Sequence, residues 1–185
     1  KEEAGSPNVV GGVALAAAIL ALTSVGMDVI ATHGNADFDG LASMVAARKL
    51  YPGAVLVLPG GAQESVRNYL ATHHVDISRL KDVTLEQVRR LILVDVQEPE
   101  RLGPLKALNS RADVEVHVFD HHGADDGPES QTRPQWPHLV ERHIEPVGAT
   151  TTLLVERLKA QQIPLTAFES TVLALGLYEE TGSLA

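Results

Sequence analysis

The sequence predicts an α/β domain with a doubly wound, mostly parallel sheet of five strands and helices on both faces. From Met27 onward, short apolar runs alternate with amphipathic stretches, which is typical of successive βαβ units. The run Arg90–Val94 is continuously apolar after its first residue, and this favours a strand that is covered on both faces. A chain of 185 residues suits one such domain with a short appendage.

Each predicted strand is a short apolar run that a turn signal or a polar cluster ends. The second strand, for example, stops at Pro59-Gly60-Gly61. The predicted strands are Met27–Thr32, Ala54–Leu58, Arg90–Val94, Val114–Phe119 and Leu139–Ile144.

The predicted helices lie between or after these strands. Leu41–Tyr51 has apolar residues near helical spacing, and the other helices are Gln63–Thr72, Thr150–Ala160 and Leu165–Tyr178. The stretch Gly123–Pro137 is rich in Gly, Pro and polar residues, which indicates a solvated loop. Open parallel sheets bind ligands beyond the carboxyl ends of their strands, where the strand order reverses, so we expect the functional residues at that edge.

The composition argues against several classes of protein. Asp and Glu number 24 against 15 Lys and Arg, a net charge of −9, whereas a domain that binds nucleic acid through surface charge is basic. The chain has no cysteine, which excludes disulfides, zinc–thiolate sites and a cysteine nucleophile. This composition is compatible with an intracellular protein, and we expect a cytoplasmic one.

Residues 1–26 form an N-terminal extension whose role the sequence does not define. Its apolar run, Val13–Leu22, is too short to span a bilayer, so we expect no membrane association. The residues before it, Lys1-Glu2-Glu3, do not form the basic start of a signal peptide. Two interpretations stay open: a buried or partner-facing helix, and an extension that precedes a natural start at Met27.

Acidic residues and histidines follow three of the predicted strands. The first strand is followed by His33, Asp37 and Asp39, the third by Asp95, and the fourth by Asp120, His121 and His122. Glu179 and Glu180 add carboxylates near the C-terminal end of the chain. Because like charges collected on one rim repel and raise one another's pKa, such a cluster indicates bound cations.

The residue types indicate which cations would bind. Carboxylates and imidazoles without sulfur suit Mn²⁺, Mg²⁺, Co²⁺ or Zn²⁺, and mixed nitrogen and oxygen ligands favour Mn²⁺ over Mg²⁺. Several carboxylates can hold two ions about 3.5–4 Å apart, with one aspartate bridging them. Such a pair activates a bridging water and clamps phosphoryl oxygens, so the predicted chemistry is hydrolysis of a phosphoester or phosphoanhydride.

Each of these residues also has a purely structural interpretation. Asp37 and Asp39 could cap the helix that starts near Leu41. The triplet Asp120-His121-His122 could be a polar turn, and the two glutamates could lie at a solvated helix end. The metal site is favoured because the same residue types recur after three separate strands.

Four motifs resemble the DHH family of phosphoesterases, from about Met27 to the C-terminus. They are His33-x-x-x-Asp37-x-Asp39, the apolar strand ending in Asp95, the triplet Asp120-His121-His122, and Tyr178-Glu-Glu180-Thr181-Gly182. This superfamily includes manganese-dependent inorganic pyrophosphatases, exopolyphosphatases, single-strand exonucleases, and phosphodiesterases of small oligonucleotides or cyclic dinucleotides. The resemblance implies that the substrate is a phosphate-containing small molecule or a short oligonucleotide.

The resemblance also implies a role for each residue. One Mn²⁺ would be held by His33, Asp37 and Asp95, and the other by Asp39, Asp95, His121 and Glu180, with Asp95 bridging. Mg²⁺ or Co²⁺ could replace Mn²⁺. His122 would face the substrate phosphate as a hydrogen-bond donor or acid, and Asp120 would orient the adjacent histidines. The nucleophile would be the metal-bridging hydroxide.

The chain departs from the family pattern in two places. The fourth motif has Glu180-Thr181-Gly182 where the family usually has Asp-Thr-Gly. Complete members usually carry a further C-terminal domain that contacts phosphate, and the present sequence ends at Ala185. We therefore expect residues 27–185 to be a DHH domain that works with C-terminal domains of the same protein.

Three stretches carry a closer resemblance, to the N-terminal DHH module of bacterial multidomain proteins. They are Asp37–Met44, Leu93–Gln97 and Glu145–Leu153. Those proteins continue into CBS domains and a tRNA nucleotidyltransferase, or poly(A) polymerase-like, region. This leaves a second function open, namely a non-catalytic or regulatory module of a tRNA nucleotidyltransferase. Formation of a homo-oligomer is open as well.

Overall fold

The fold is built on one parallel sheet. The computed structural model describes residues 26–123 and 136–182. The strands are β1 (Met27–Ala31), β2 (Asn35–Ala36), β3 (Val55–Val57), β4 (Gly61–Ala62), β5 (Ile77–Ser78), β6 (Val88–Val94), β7 (Glu115–Asp120) and β8 (Leu139–Ile144). Six of them form the main sheet in the order β5-β3-β1-β6-β7-β8, with every pairing parallel, while β2 and β4 pair separately. The predicted α/β class with a mostly parallel sheet is confirmed.

The main sheet has one strand more than the predicted five. The additional strand is β5, whose Ile77 and Ser78 pair with Leu56 and Val57 of β3. A strand of 2 residues is too short for an apolar pattern to indicate it. The five predicted strands are all present, and their ends differ only slightly from the prediction.

The strand order shows that the sheet is doubly wound, as predicted. From β1 the chain passes to β3 and β5 on one side, and then crosses back to β6, β7 and β8 on the other. The order therefore reverses between β1 and β6. The carboxyl ends of these two strands flank the crevice where ligands bind in folds of this kind.

Four α-helices lie in the described part of the chain, each where a helix was predicted. They are α1 (Phe38–Leu50), α2 (Glu64–Thr72), α3 (Thr150–Ala160) and α4 (Ala167–Glu180). Helix α1 begins earlier than predicted because the Asp37 carboxylate accepts a hydrogen bond from the Gly40 backbone N–H at 2.9 Å. Helix α4 begins with a capping box formed by Thr166 and Glu169.

Both faces of the sheet are covered, which explains the continuous apolar run of β6. Ile92 lies on the face that packs against α1, α3 and α4. Leu91 and Leu93 lie on the other face, against a 3₁₀-helical stretch, Pro99–Ser110, that the sequence analysis did not predict. That stretch is broken at Gly103, whose φ is 52°. Burial of apolar side chains on both faces is the main stabilisation of such a sheet.

Helices α1 and α4 approach each other closely at Gly176. A Cβ at this position would lie 2.6 Å from the Ala42 Cβ and 2.9 Å from the Phe38 carbonyl oxygen. Because Gly176 has no side chain, its backbone can lie directly against the Ala42 methyl group and the Phe38 carbonyl group of α1. The contact brings the C-terminal end of α4 to the start of α1, which follows β1 at the carboxyl edge of the sheet.

Two features of the sequence analysis lie largely outside the described residues. They are the N-terminal extension, of which only Gly26 is described, and the loop Gly123–Pro137, of which 124–135 are not described. Within the described residues, no helix combines the length and the apolar character that crossing a membrane requires.

We expect Gly176→Ala to lower the free energy of unfolding by about 1–3 kcal/mol, because the added methyl group forces α4 away from α1. Denaturant unfolding measures this change. Ser170→Ala, on the exposed side of the same helix, is the control and should change stability by no more than about 0.5 kcal/mol. Equal effects of the two substitutions would show that the close contact does not matter.

Candidate metal centre

The predicted site residues meet at the carboxyl edge of the sheet, beside the point where the strand order reverses. Each is held by the end of a strand or helix. His33 follows β1, Asp37 and Asp39 begin α1, Asp95 follows β6, Asp120 ends β7 and precedes His121 and His122, and Glu180 ends α4. Chain segments that are far apart in sequence therefore converge on one place, as the strand-end pattern predicted.

A first group of potential ligands surrounds His33. Its Nε2 lies 3.4 Å from Asp37 Oδ2 and 3.5 Å from Asp95 Oδ2. His33 and Asp95 are buried, and Asp37 is partly buried. Each of the three residues offers one ligand atom within 4.8 Å of the others, a spacing that one metal ion can bridge.

A second group surrounds the Nε2 atom of His121. This atom lies 3.6 Å from Asp95 Oδ1, 3.6 Å from Glu180 Oε1 and 3.9 Å from Asp39 Oδ2. The other ring nitrogen, Nδ1, is 3.1 Å from the Val147 carbonyl oxygen. Because a carbonyl only accepts, Nδ1 carries a hydrogen, and Nε2 is the ring nitrogen that faces the carboxylates.

The Nε2 atom of His121 is the feature that fits a cation best. It is buried and has no hydrogen-bond partner, although three carboxylates face it. A ring nitrogen placed among carboxylate oxygens in this way is a donor set that a positive ion between them would satisfy. The hydrogen bond from Nδ1 to a backbone carbonyl is also how metal-binding histidines are usually held.

Asp95 belongs to both groups. Its Oδ2 faces His33, while its Oδ1 faces His121 and lies 3.7 Å from His122 Nδ1. The residue has a left-handed backbone with φ of 58°, a conformation that Asp tolerates better than most residues. The Thr150 hydroxyl donates to Asp95 Oδ1 at 3.2 Å and helps to orient the carboxylate. The turn after β6 therefore aims one carboxylate at two sets of ligands.

Asp39 is held by a different helix from the one it was considered to cap. Its carboxylate accepts the backbone N–H groups of Thr150 and Thr151 at 2.8 and 2.9 Å. These are the first residues of α3, a helix without a capping side chain of its own N-cap residue. Asp37, by contrast, does cap α1 while facing His33.

The carboxylates of this site crowd one another. Burial, followed by the charge of Asp95, raises the pKa of Asp39 to about 6, although the hydrogen bonds from α3 oppose the rise. Burial also raises the pKa of Glu180, and the negative charges of Asp95 and Asp37 add to that effect. A cation between these groups would relieve the repulsion.

Histidines partly compensate this charge. Burial alone lowers the pKa of His33, but its hydrogen bonds with Asp37 and Asp95 prevail and raise it to about 9. The hydrogen bond from His122 Nδ1 to Asp120 Oδ1, at 2.8 Å, raises the pKa of His122 to about 9. In the protein without metal, the protonated rings of His33 and His122 therefore neutralise part of the carboxylate charge.

The adjacent residues Glu179 and Glu180 do different things. Glu179 Oε2 accepts the Phe38 backbone N–H at 2.8 Å, and its Oε1 accepts the Ser65 hydroxyl at 3.2 Å. Glu179 thus joins α4 to the starts of α1 and α2, while Glu180 faces His121. The sequence alone could not distinguish these roles, because the direction of each side chain depends on how α4 docks.

Sequence analysis missed three residues that hold the site. Thr150 and Thr151 bind Asp39, and Gln97 Nε2 donates to Asp120 Oδ2 at 2.6 Å. Gln97 lies two residues beyond Asp95, within a stretch that carries the family resemblance. Its amide side chain offered no ligand chemistry, and this is why a search for carboxylates and histidines passed over it.

Comparison with known proteins identifies the family of this chain. Residues 29–177 match the model of the DHH family, N-terminal domain. The chain belongs to the DHH family. The predicted resemblance is therefore confirmed, and the matched region contains every candidate site residue except Glu180.

Curated relatives of this DHH chain are A-adding tRNA nucleotidyltransferases. The protein from Geobacter sulfurreducens is 43% identical over 161 residues, covering 85% of this chain and 17% of the relative. The protein from Aquifex aeolicus is 33% identical over 156 residues, covering 84% of this chain and 17% of the relative. The chain thus spans about a sixth of the length of these relatives.

A solved structure with the same fold is an exopolyphosphatase-related protein from Bacteroides fragilis. The TM-score is 0.65 at 12% identity, over 91% of this chain and 50% of that one. At this identity the likeness supports the DHH fold and says nothing further about chemistry.

We expect Glu180→Gln to weaken Mn²⁺ binding by more than the roughly 10–100-fold typical of residues that only support a ligand. The reason is the loss of one charged oxygen beside His121. Titration calorimetry on metal-stripped protein measures the affinity. Glu179→Gln is the matched control: it should cost about 0.5–1 kcal/mol of stability through the weakened contact with α1, while the affinity for Mn²⁺ stays unchanged. Equal Mn²⁺ affinities of the two variants would show that Glu180 is not a ligand of this site.

We expect the metal-free protein to lose stability as the pH rises from about 6.5 to about 9, because folding raises the pKa of His33 and His122 to about 9. The folded state then binds more protons than the unfolded state. The stabilisation that the two histidines contribute is therefore complete below their unfolded pKa and is lost above their folded pKa. Urea unfolding in a chelator at several pH values measures the slope. His33→Gln should reduce the decrease in stability with pH, whereas the exposed His74→Gln should not. Stability that rises with pH over this range would contradict the raised pKa values.

Proposed function

We propose that this chain is a manganese-dependent phosphoesterase domain that hydrolyses a phosphoester or a phosphoanhydride. The observation that carries the proposal is the sharing of Asp95 between the ligand groups around His33 and His121. One carboxylate between two sets of nitrogen and oxygen ligands is the arrangement expected of a two-metal hydrolase. Residues 27–185 would form this domain, and residues 1–26 an extension to it.

The donor set supports Mn²⁺ as the resident ion. Each group combines carboxylate oxygens with an imidazole nitrogen, and the chain has no cysteine that could supply a thiolate. Mg²⁺ prefers oxygen ligands and water, whereas Mn²⁺ accepts imidazole as well. One ion would be held by His33, Asp37 and Asp95, and the other by Asp39, Asp95, His121 and Glu180, with Mg²⁺ or Co²⁺ as possible replacements.

The ions would supply the charge that activates a water for attack on phosphorus and that balances the phosphoryl oxygens. The chain's own residues would carry out the remaining tasks. Water adds to phosphorus, the bond to the leaving oxygen breaks, and the leaving oxygen needs a proton. His122 is partly exposed beside the ligand groups and shares its Nδ1 hydrogen with Asp120, so we assign it the role of donor to the phosphate or leaving group.

The negative charge of the substrate also has to be neutralised by groups other than these residues. Among the described residues, the ion pairs of Asp37, Asp39, Asp95, Asp120 and Glu180 are with histidines. We propose that further phosphate contacts come from additional domains, since the curated relatives are far longer than this chain. Pyrophosphate, polyphosphate, short oligonucleotides and cyclic dinucleotides are the candidate substrates.

A second candidate function stays open, because the curated relatives are A-adding tRNA nucleotidyltransferases. In an A-adding tRNA nucleotidyltransferase, this domain could bind metal or nucleotide as a regulatory module without turnover. The two candidates make different predictions for one experiment, because only the first requires phosphate release.

We expect metal-stripped and reloaded protein to contain about two Mn²⁺ per chain, and Asp95→Asn to lose most of both ions, since this carboxylate serves both groups. Elemental analysis measures the content, and a hydrolysis panel with the four substrate classes follows. Asn tolerates the left-handed backbone of position 95, so the fold should survive the substitution.

The exposed Asp76→Asn is the control and should retain both ions and any hydrolytic activity. Two ions with turnover of one substrate class would support the phosphoesterase. Two ions without any turnover by the longest available form of the protein would favour the regulatory module. Failure of the parent protein to bind Mn²⁺ would reject the proposed centre.

A further inference from the structure

Gln97 is a buried polar residue whose hydrogen-bonding groups converge on the His122 side of the site. It is 7% exposed. Its Nε2 donates to Asp120 Oδ2 at 2.6 Å and to the His122 carbonyl oxygen at 2.9 Å. Its Oε1 accepts from Arg142 Nη2 at 3.1 Å, and its backbone carbonyl accepts from Trp136 Nε1 at 2.9 Å.

The partners define which way the Gln97 amide points. The Asp120 carboxylate and the His122 carbonyl only accept hydrogen bonds, so the amide nitrogen must face them. The Arg142 guanidinium only donates, so the amide oxygen must face it. A reversed amide would place its oxygen against two acceptors and its nitrogen against the Arg142 donor. Arg142 therefore selects the orientation in which Gln97 can donate to the site.

The hydrogen bonds of Gln97 complete the support of His122. Asp120 Oδ1 accepts both the ring Nδ1 and the backbone N–H of His122, at 2.8 and 3.2 Å. Gln97 holds the other oxygen of Asp120 and also the backbone carbonyl of His122. The ring and both backbone polar groups of His122 are thus tied to the pair Asp120–Gln97. Loss of the amide donors would leave a buried carboxylate oxygen without a donor and free the carboxylate to turn.

We infer that Gln97, locked by Arg142, is the positioning residue that holds Asp120 and His122 in their working orientation. The catalytic part of this inference rests on the proposed hydrolysis, in which His122 meets the phosphate. The structural part does not depend on it, because the hydrogen bonds exist in the protein without metal or substrate. Gln97 lies outside the proposed ligand sets of both ions, so its contribution should be to turnover rather than to metal content.

Two substitutions at position 97 separate positioning from packing. Gln97→Glu keeps the shape of the side chain but replaces the amide donors with an oxygen that repels Asp120. Gln97→Met keeps the length and removes the polar groups. If Gln97 only fills space, Gln97→Met, which adds no charge, should behave like the parent protein. If it acts through its donors, Gln97→Glu should be at least as impaired as Gln97→Met, although it is the closer match in shape.

The first readout does not require activity. In protein labelled with ¹⁵N-histidine, the His122 Nδ1–H that Asp120 accepts should give a protected downfield signal, which Asp120→Asn identifies by its loss. We expect Gln97→Glu to abolish or shift this signal, and the same substitution at the exposed Gln87 to leave it unchanged. Arg142→Met should weaken the signal, and Arg142→Lys, which keeps a donor, should partly restore it.

Trp136 provides the control for local folding. It is the single tryptophan of the chain, and it binds the backbone carbonyl of Gln97, which every variant at position 97 retains. Its emission spectrum should therefore be the same in the parent and in Gln97→Glu. A red-shifted emission would identify a collapsed variant, and Gln97→Met and the Arg142 pair would then carry the test.

The second readout is kinetic. With two Mn²⁺ still bound, we expect Gln97→Glu to lower kcat by about 10–100-fold with little change in KM, as for other residues that orient a reacting group. An unchanged His122 signal together with an unchanged kcat in Gln97→Glu would overturn the inference. If the parent hydrolyses nothing but the signal responds as described, the proposed function fails while the positioning role of Gln97 stands.

Discussion

Electrostatic crowding at the carboxyl edge of the sheet is the constraint on which the rest of this structure depends. Asp39 and Asp95 are almost fully buried, and Asp95 faces His33 with one oxygen and His121 and His122 with the other. Buried carboxylates at such distances are unfavourable unless donors, protons or cations compensate them. The protein supplies the donors and the protonated rings. The Nε2 atom of His121, which has no hydrogen-bond partner, marks where compensation by the chain stops and where a cation fits.

The scaffold around the site consists largely of helix N-termini. The start of α3 binds Asp39, and the start of α1 is capped by Asp37 and bonded to Glu179. N-terminal N–H groups favour negative charge, so the same contacts that hold the helices also stabilise carboxylates of the candidate metal centre. Helix α4 reaches this region only because Gly176 lets it touch α1. Packing and site geometry are therefore coupled: a shift of α4 would move Glu180.

The elements that the sequence predicted well are those with a strong local signal. The apolar runs of β1, β6 and β7 and the helical spacing of apolar residues in α1 depend on neighbouring residues, so these elements could be inferred directly. The 3₁₀ stretch Pro99–Ser110 and the two-residue strand β5 were missed, because neither carries a periodic pattern. The carboxylates and histidines at strand ends were found because the topology of a parallel sheet brings such ends together.

By itself, the sequence determined the fold class, the edge of the sheet where the site lies, and the residue types that favour divalent cations. Tertiary structure alone decided how neighbouring residues divide their roles. In the folded chain, Glu179 binds the start of α1 while Glu180 faces His121. Asp39 accepts hydrogen bonds from the start of α3, and Gln97 donates to Asp120. The physical reason is that these roles depend on side-chain directions across contacts between distant segments. Local sequence encodes the donors and acceptors, but only packing selects their partners.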